Sequence, residues 1–259
     1  MSPTAPLLTV DLGNSTCDLR LWAGAEPRDA GSASTEVASF EHDFEALLAE
    51  LPPVRAAALS SVGDARREAA LEAALERRFG AGVVLRPDPG LLVTCRDVHT
   101  IGTDRLFAAR GAAETLGTSA IVVDAGTALT VDAVEVSGDG PPLFRGGAIA
   151  PGPRLLARAL ATAAKLREVE PRPGAAALGQ DTPEALLAGV TVGFRGAARE
   201  LVLRVGEESG LGHGTVALCG GARIFLLEAP LFPADCRVHV LPDLVHVGLA
   251  AAAGSGARG

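Results

Sequence analysis

The chain has 259 residues, 48% of them apolar, and a formal net charge of -8. That is enough apolar material for one large domain or two small ones, and an acidic balance without a basic stripe excludes a nucleic-acid surface. Four cysteines without a C-x-x-C pair, and five histidines without metal-ligand spacing beside them, exclude a disulfide framework or a zinc site and predict reduced thiols.

Residues 1–6 carry no basic leader, and no apolar run reaches the ~18 residues that span a bilayer. A cytoplasmic protein with no membrane partner is expected. Leu7 to Asp11 and Cys17 to Trp22 read as strands joined by Gly13-Asn14-Ser15, a β-hairpin with an acidic turn at its tip. Helical periodicity over Asp43 to Leu51 and Asp64 to Phe79, with strands at Arg55 to Val62 and Val83 to Arg86, predicts an α/β layer structure. Gly80 to Thr100, rich in Gly, Pro and polar residues, reads as a surface loop before a helix over Asp104 to Leu116.

A second lobe begins near Gly117 and repeats the opening of the first: strand Ala120 to Asp124, a glycine turn, and return strand Leu129 to Val136. Leu143 to Ile149 is a third strand, and Pro151-Gly152-Pro153 leads into a helix over Arg154 to Leu166. Thr182 is the expected N-cap of a long helix reaching about Glu208, with Pro183 at its first position. Strands at Val216 to Cys219 and Val238 to Leu241 precede an alanine-rich terminal helix, with residues 254–259 expected to fray. The expected organisation is two lobes, 1–116 and 117–259.

The turns Asp11-Leu12-Gly13-Asn14-Ser15-Thr16 and Asp124-Ala125-Gly126-Thr127 share a chemistry. A glycine after a strand lets backbone N–H groups approach a phosphate, flanking hydroxyls and amides add donors, and the aspartate can hold a hydrated Mg²⁺ or another cation. One such turn alone is most simply a hairpin turn. Its recurrence, together with a third glycine turn at Gly220-Gly221-Ala222, resembles the plan of the actin-like and sugar-kinase superfamily, in which two phosphate hairpins and a late glycine turn surround one ATP.

Gly102-Thr103-Asp104-Arg105 sets an aspartate and an arginine at a loop-to-helix junction. In the simple reading these are a helix cap and a solvated ion pair. In a kinase, such a carboxylate accepts the proton of the attacking hydroxyl, and the guanidinium can hold a substrate carboxylate. No P-loop is present, and Lys165, the only lysine, reads as a surface residue on an alanine-rich helix. His239 and His246 read as ordinary strand and loop residues.

Taken with Gly146-Gly147-Ala148-Ile149-Ala150-Pro151-Gly152, these motifs resemble, in order from about residue 7 to residue 249, the type III pantothenate kinases. The resemblance implies ATP-dependent phosphorylation of the primary hydroxyl of pantothenate, the entry step to coenzyme A, on a duplicated RNase-H-like α/β fold of two lobes with mixed sheets flanked by helices. It implies that Asp104 is the general base and that Gly102, Thr103 and Arg105 belong to the pantothenate loop. Asp11 to Asp18 corresponds to the first phosphate turn, with Asp11 on Mg²⁺. Gly126, Thr127, Gly220 and Gly221 lie on the ATP side, Asp124 holds a monovalent cation (K⁺ or NH₄⁺), and Thr182 contacts pantothenate.

Family members are homodimers. Where they carry a tyrosine and a proline ahead of the substrate loop, this chain has Cys95 and Val98. The chain has no tyrosine, so the aromatic wall of the substrate site is expected to be missing or to come from Phe107 or His99. Two rivals stand beside this reading. One is another kinase, or an exopolyphosphatase, on the same architecture, for which the chain is short; the other is a non-catalytic regulatory nucleotide binder.

Overall fold

The computed structural model describes residues 5–255. In chain order its first elements are β1 (Leu7–Leu12), β2 (Thr16–Trp22), β3 (Pro27–Ser34), α1 (Phe40–Ala49), β4 (Ala56–Ser61), α2 (Ala65–Phe79), β5 (Val84–Leu85), β6 (Leu92–Val93) and α3 (Thr103–Leu116). There follow β7 (Ala120–Ala125), β8 (Ala128–Glu135), β9 (Leu143–Pro151), α4 (Pro153–Ala164), α5 (Thr182–Ser209), β10 (Thr215–Cys219), β11 (Arg237–Val240) and α6 (Leu244–Ser255). Two compact units result, one from the chain up to Leu92 with Arg96–Gly117 and the segment from Asp243, the other from Val93–Cys95 and Thr118–Pro242.

The sheets repeat one topology. The first has the order β3-β2-β1-β4-β5; the second runs β9-β8-β7-β10-β11, with β6 added outside β9. In each, a hairpin is extended by a third antiparallel strand and then by strands parallel to the first. A mixed sheet built twice, with helices packed against it, is the duplicated RNase-H-like arrangement.

Period-two alternation explains the placement of each first strand. Leu8, Val10 and Leu12 enter a core with Phe40, Phe44 and Leu75 from α1 and α2, leaving Thr9 and Asp11 on the opposite face. In β7 the same alternation sends Ile121, Val123 and Ala125 into a core with Phe194, Val202 and Phe225, leaving Asp124 on the opposite face. Phe194 and Phe225 meet edge to face at 6.1 Å, a pair worth about 0.5–1.5 kcal/mol beyond its buried area. Across the opposite face of the first sheet, α6 packs on α3 and β1.

Several expectations are corrected. Strand β3 has no counterpart among the expected elements: Pro-Arg-Asp-Ala-Gly-Ser-Ala-Ser has weak β propensity and is mostly solvent-facing, so only its pairing to β2 makes it a strand. The N-cap of α5 is Asp181, whose Oδ1 accepts from Glu184 N at 2.8 Å; Thr182 is the first helical residue. His246 lies in α6, not in a loop. Lys165 is exposed but ends α4 in a left-handed conformation, φ 53°.

The terminal helix joins the first unit, whereas the expected lobe boundary put it in the second. Gly254 and Ser255 are helical; the expected fraying from 256 onward lies outside the described residues, as does the reading of residues 1–4. Among the described residues no helix is long and apolar enough to cross a membrane, and all four cysteines are unbridged.

Candidate active site

In the first unit, Asp11 stands at the end of β1, with Asp18 opposite it in the hairpin and Ser60 of β4 opposite it on the other side. Gly13 N donates to Thr16 O at 2.8 Å and closes the turn, so Asn14 and Ser15 form its tip. The Thr35 hydroxyl donates to Asn14 O at 2.7 Å. Ser15 Oγ donates to Glu36 Oε1 at 3.3 Å and Thr16 Oγ1 to Asp18 Oδ2 at 3.0 Å, which leaves backbone N–H groups and the exposed Asn14 as this turn's donors to an anion. Burial pushes the Asp18 carboxyl above its ordinary pKa, against the Thr16 hydrogen bond and the Arg20 charge.

Asp104 sits in the first turn of α3, in the same unit. Its Oδ1 accepts from the backbone N of Arg105 at 2.8 Å. A Cβ on Gly102 would lie 2.4 Å from that oxygen and 3.3 Å from Val62 Cγ1, so only glycine leaves Asp104 its place. The Thr103 hydroxyl points away from solvent: Oγ1 donates to Ser61 O at 3.0 Å, accepts from Ser61 N at 3.3 Å and lies 3.2 Å from Ser60 Oγ. Burial raises the Asp104 pKa, and the Arg105 backbone N–H and guanidinium oppose the rise. Asp11 and Asp104 are thereby tied to adjacent strands β1 and β4. Ser60 links the two and belongs to no motif; its one sequence signal is the pair Ser60-Ser61 closing an otherwise apolar strand.

The second unit holds the other turn. Asp124 ends β7 beside Cys219 of β10 and Thr130 of β8. Gly126 N donates to Ala128 O at 2.8 Å, and Gly152 N to Thr127 O at 2.9 Å. A Cβ on Gly152 would lie 2.2 Å from Gly126 O, and one on Gly220, at φ +82°, 2.3 Å from both Asp124 Oδ1 and Ala125 O. Three stretches of main chain around residues 124–127, 152 and 220 are thus pressed together with no room for side chains. Thr127 and Gly221 are exposed. Such a backbone-lined cradle, next to one carboxylate, suits a polyphosphate and its cation.

The expected substrate residues divide between the units: Gly102, Thr103, Asp104 and Arg105 lie in the first, Cys95 and Thr182 in the second. Cys95 is half-buried, its Sγ 3.3 Å from where a Cβ on Gly146 would be, and Thr182 is exposed at the start of α5. Of the alternatives for the aromatic wall, missing or supplied by Phe107 or His99, the structure removes Phe107. Phe107 is among the fully buried side chains, 2% exposed, because α6 crosses α3 at its backbone. His99 is exposed on a single 3-10 turn.

Comparison with known proteins gives a consistent answer. The family model of the type III pantothenate kinases matches residues 7–204. A type III pantothenate kinase of Thermus thermophilus is 38% identical over 255 residues, covering 94% of this chain and 96% of the relative. Another, from Parafrankia, is 32% identical over 232 residues, covering 86% and 89%. Among solved structures, a protein of Campylobacter jejuni described as a Baf family transcriptional activator matches with TM-score 0.56 at 18% identity, covering 97% of this chain and 99% of that one. The Lmo2764 protein of Listeria monocytogenes, described as an N-acetylmannosamine kinase, matches with TM-score 0.52 at 14% identity, covering 97% and 99%. At these identities the structural matches bear on the fold alone.

Proposed function

Because the chain belongs to the type III pantothenate kinase family, we propose that it transfers the γ-phosphoryl group of ATP to the primary hydroxyl of pantothenate, giving 4'-phosphopantothenate at the entry to coenzyme A biosynthesis. The observation that carries this reading is the setting of Asp104: a largely buried carboxylate at a helix start, held beside a glycine that admits no side chain and raised in pKa by its burial. A raised pKa makes a carboxylate a better proton acceptor at neutral pH.

Phosphoryl transfer passes through a loose transition state and asks mainly for alignment and charge neutralisation. Asp104 accepts the hydroxyl proton as the oxygen attacks phosphorus. Arg105 holds the pantothenate carboxylate, with Gly102 and Thr103 shaping the loop and Cys95 and Thr182 as further contacts. In the first unit, Asp11 orients the divalent cation and the Leu12–Thr16 turn binds phosphate through its amides. In the second, Gly126, Thr127, Gly220 and Gly221 receive the nucleotide, and Asp124 binds the monovalent cation, K⁺ or NH₄⁺.

Among the described residues no three His, Cys, Asp or Glu side chains form a ready-made metal cage. Mg²⁺ keeps most of its waters and needs only one or two protein carboxylates besides phosphate, so Asp11 fits it. Held by Asp11, Mg²⁺ would supply neutralisation of phosphate charge. The enzyme acts in the cytoplasm as a homodimer.

A coupled ADP-release assay tests the proposal, run with pantothenate, without it and with a panel of sugars, in K⁺ and then in Na⁺. ADP release that needs pantothenate and K⁺ is expected. Asp104→Asn should keep ATP binding and lower kcat by ~10²–10⁴-fold. Release driven by a sugar points to the rival kinase, and ATP binding without pantothenate-dependent release to the regulatory one.

A further inference from the structure

We propose that Ser60 is a positioning residue that sets Asp104 relative to Asp11 through its hydroxyl contact with Thr103, an inference that rests on Asp104 being the base. Helix α3 begins without a side-chain cap, since its N-cap is Gly102, and an uncapped start leaves the first turn free to shift or fray. The residue that must not shift, Asp104, lies in that turn. Its neighbour Thr103 turns its hydroxyl onto the end of β4, meeting Ser60 Oγ at 3.2 Å, Ser61 N at 3.3 Å and Ser61 O at 3.0 Å.

Ser60 is 1% exposed, and the four residues before it, Ala56 to Leu59, are all apolar and buried. A buried hydroxyl costs free energy unless hydrogen-bonded, and the contact with Thr103 Oγ1 is what offsets that cost for Ser60. On the sheet, Ser60 is the register partner of Asp11. Its backbone therefore travels with the strand bearing Asp11 while its side chain grips the helix bearing Asp104. A loosened base is expensive, because a misplacement of 1 Å can cost about 10²-fold in rate.

The test is steady-state kinetics of Ser60→Ala in two backgrounds. In the otherwise unaltered enzyme, kcat should fall at least tenfold with KM for ATP within twofold. In Asp104→Asn, the same substitution should change kcat less than twofold, since the group it positions is gone; a merely structural defect lowers both backgrounds alike. Turnover of Ser60→Ala within twofold of the parent, or an equal loss in both backgrounds, overturns the inference. Near-normal turnover of Asp104→Asn itself would instead sink the assignment of the base. Should Ser60→Ala fail to fold, the near-isosteric pair Ser60→Thr and Ser60→Val gives the same decision: turnover kept by threonine, which retains the hydroxyl, and lost in valine supports the contact with Thr103, and equal loss in both overturns it.

Discussion

Gly220 and Asp124 are packed so closely that a Cβ on the glycine would lie 2.3 Å from the carboxylate oxygen Oδ1 and equally near the carbonyl of Ala125. The glycine turn after β10 and the acidic turn after β7 therefore form one object, held in register by the β10–β7 pairing that sets Cys219 beside Asp124. Gly220→Ala pushes on main chain that cannot yield and also places alanine at φ +82°, a strain of about 1–3 kcal/mol. The expected result is a rise of at least tenfold in Kd for ATP with a modest loss of stability. Titration calorimetry with ATP checks it, and unchanged affinity would separate Gly220 from the nucleotide.

Asp104 must be ionised to accept a proton, and its burial raises its pKa. The acidic limb of the pH–kcat/KM profile should accordingly lie above the ordinary aspartate range, with activity lost as pH falls through the raised value. The Arg105 charge works against that rise. Arg105→Gln removes it, so the limb should move to still higher pH, whatever happens to pantothenate affinity. A limb that stays put or moves to lower pH contradicts the electrostatic account.

His246 provides a second titration with a different readout. Its Nδ1 lies 2.9 Å from Thr9 Oγ1, which also accepts a hydrogen bond from Trp22 Nε1 at 2.9 Å. Burial, aided by the Arg20 charge and opposed by Asp29, lowers its pKa to about 3; Asp243, at the head of α6, is paired with Arg20 at 2.7 Å. In the unfolded chain a histidine takes its proton near pH 6.5. Between these values the unfolded state binds more protons, so stability is full above about pH 6.5 and falls as pH drops towards 3, by up to about 1.4 kcal/mol per pH unit. Urea unfolding at pH 7, 6 and 5 should show a steeper loss for the parent than for His246→Asn. Parallel curves would clear this histidine.

The crossing of α3 and α6 depends on two glycines used reciprocally. A Cβ on Gly111 would lie 2.0 Å from Leu244 O, and one on Gly248 2.0 Å from Phe107 O. Gly248→Ala must separate the helices, at a cost of about 3 kcal/mol, the upper end of the overpacking range. Thermal unfolding measures it, and a midpoint shift below about 4 °C would be too small for so tight a contact. Because α3 carries Asp104, kcat should fall as well.

The two hairpin turns could be read from sequence because each is local: an apolar run, an aspartate and a glycine within six residues specify a strand and its turn whatever lies around them. Helix α2 was equally legible, with Asp64 as its N-cap accepting from Arg66 N and Arg67 N. The cap of α5 slipped by one residue because Asp181 and Thr182 are both good capping residues, and only the chain's path selects between them. Ser60 carried only a weak signal, a polar residue near the end of an apolar strand, which does not say what it meets, and its contact lies 43 residues away in sequence.

By itself, then, the sequence determined the doubled strand-turn-strand pattern, the acidic residues at both turns and the family to which the chain belongs, because these reside in short stretches where residue type dictates backbone conformation. Tertiary structure alone decided that the terminal helix packs on the first unit, that Phe107 is core, and that Ser60 and Thr103 meet. Burial of an apolar face has no preferred partner in one dimension. Only the shapes of the facing surfaces, such as the paired notches at Gly111 and Gly248, select one.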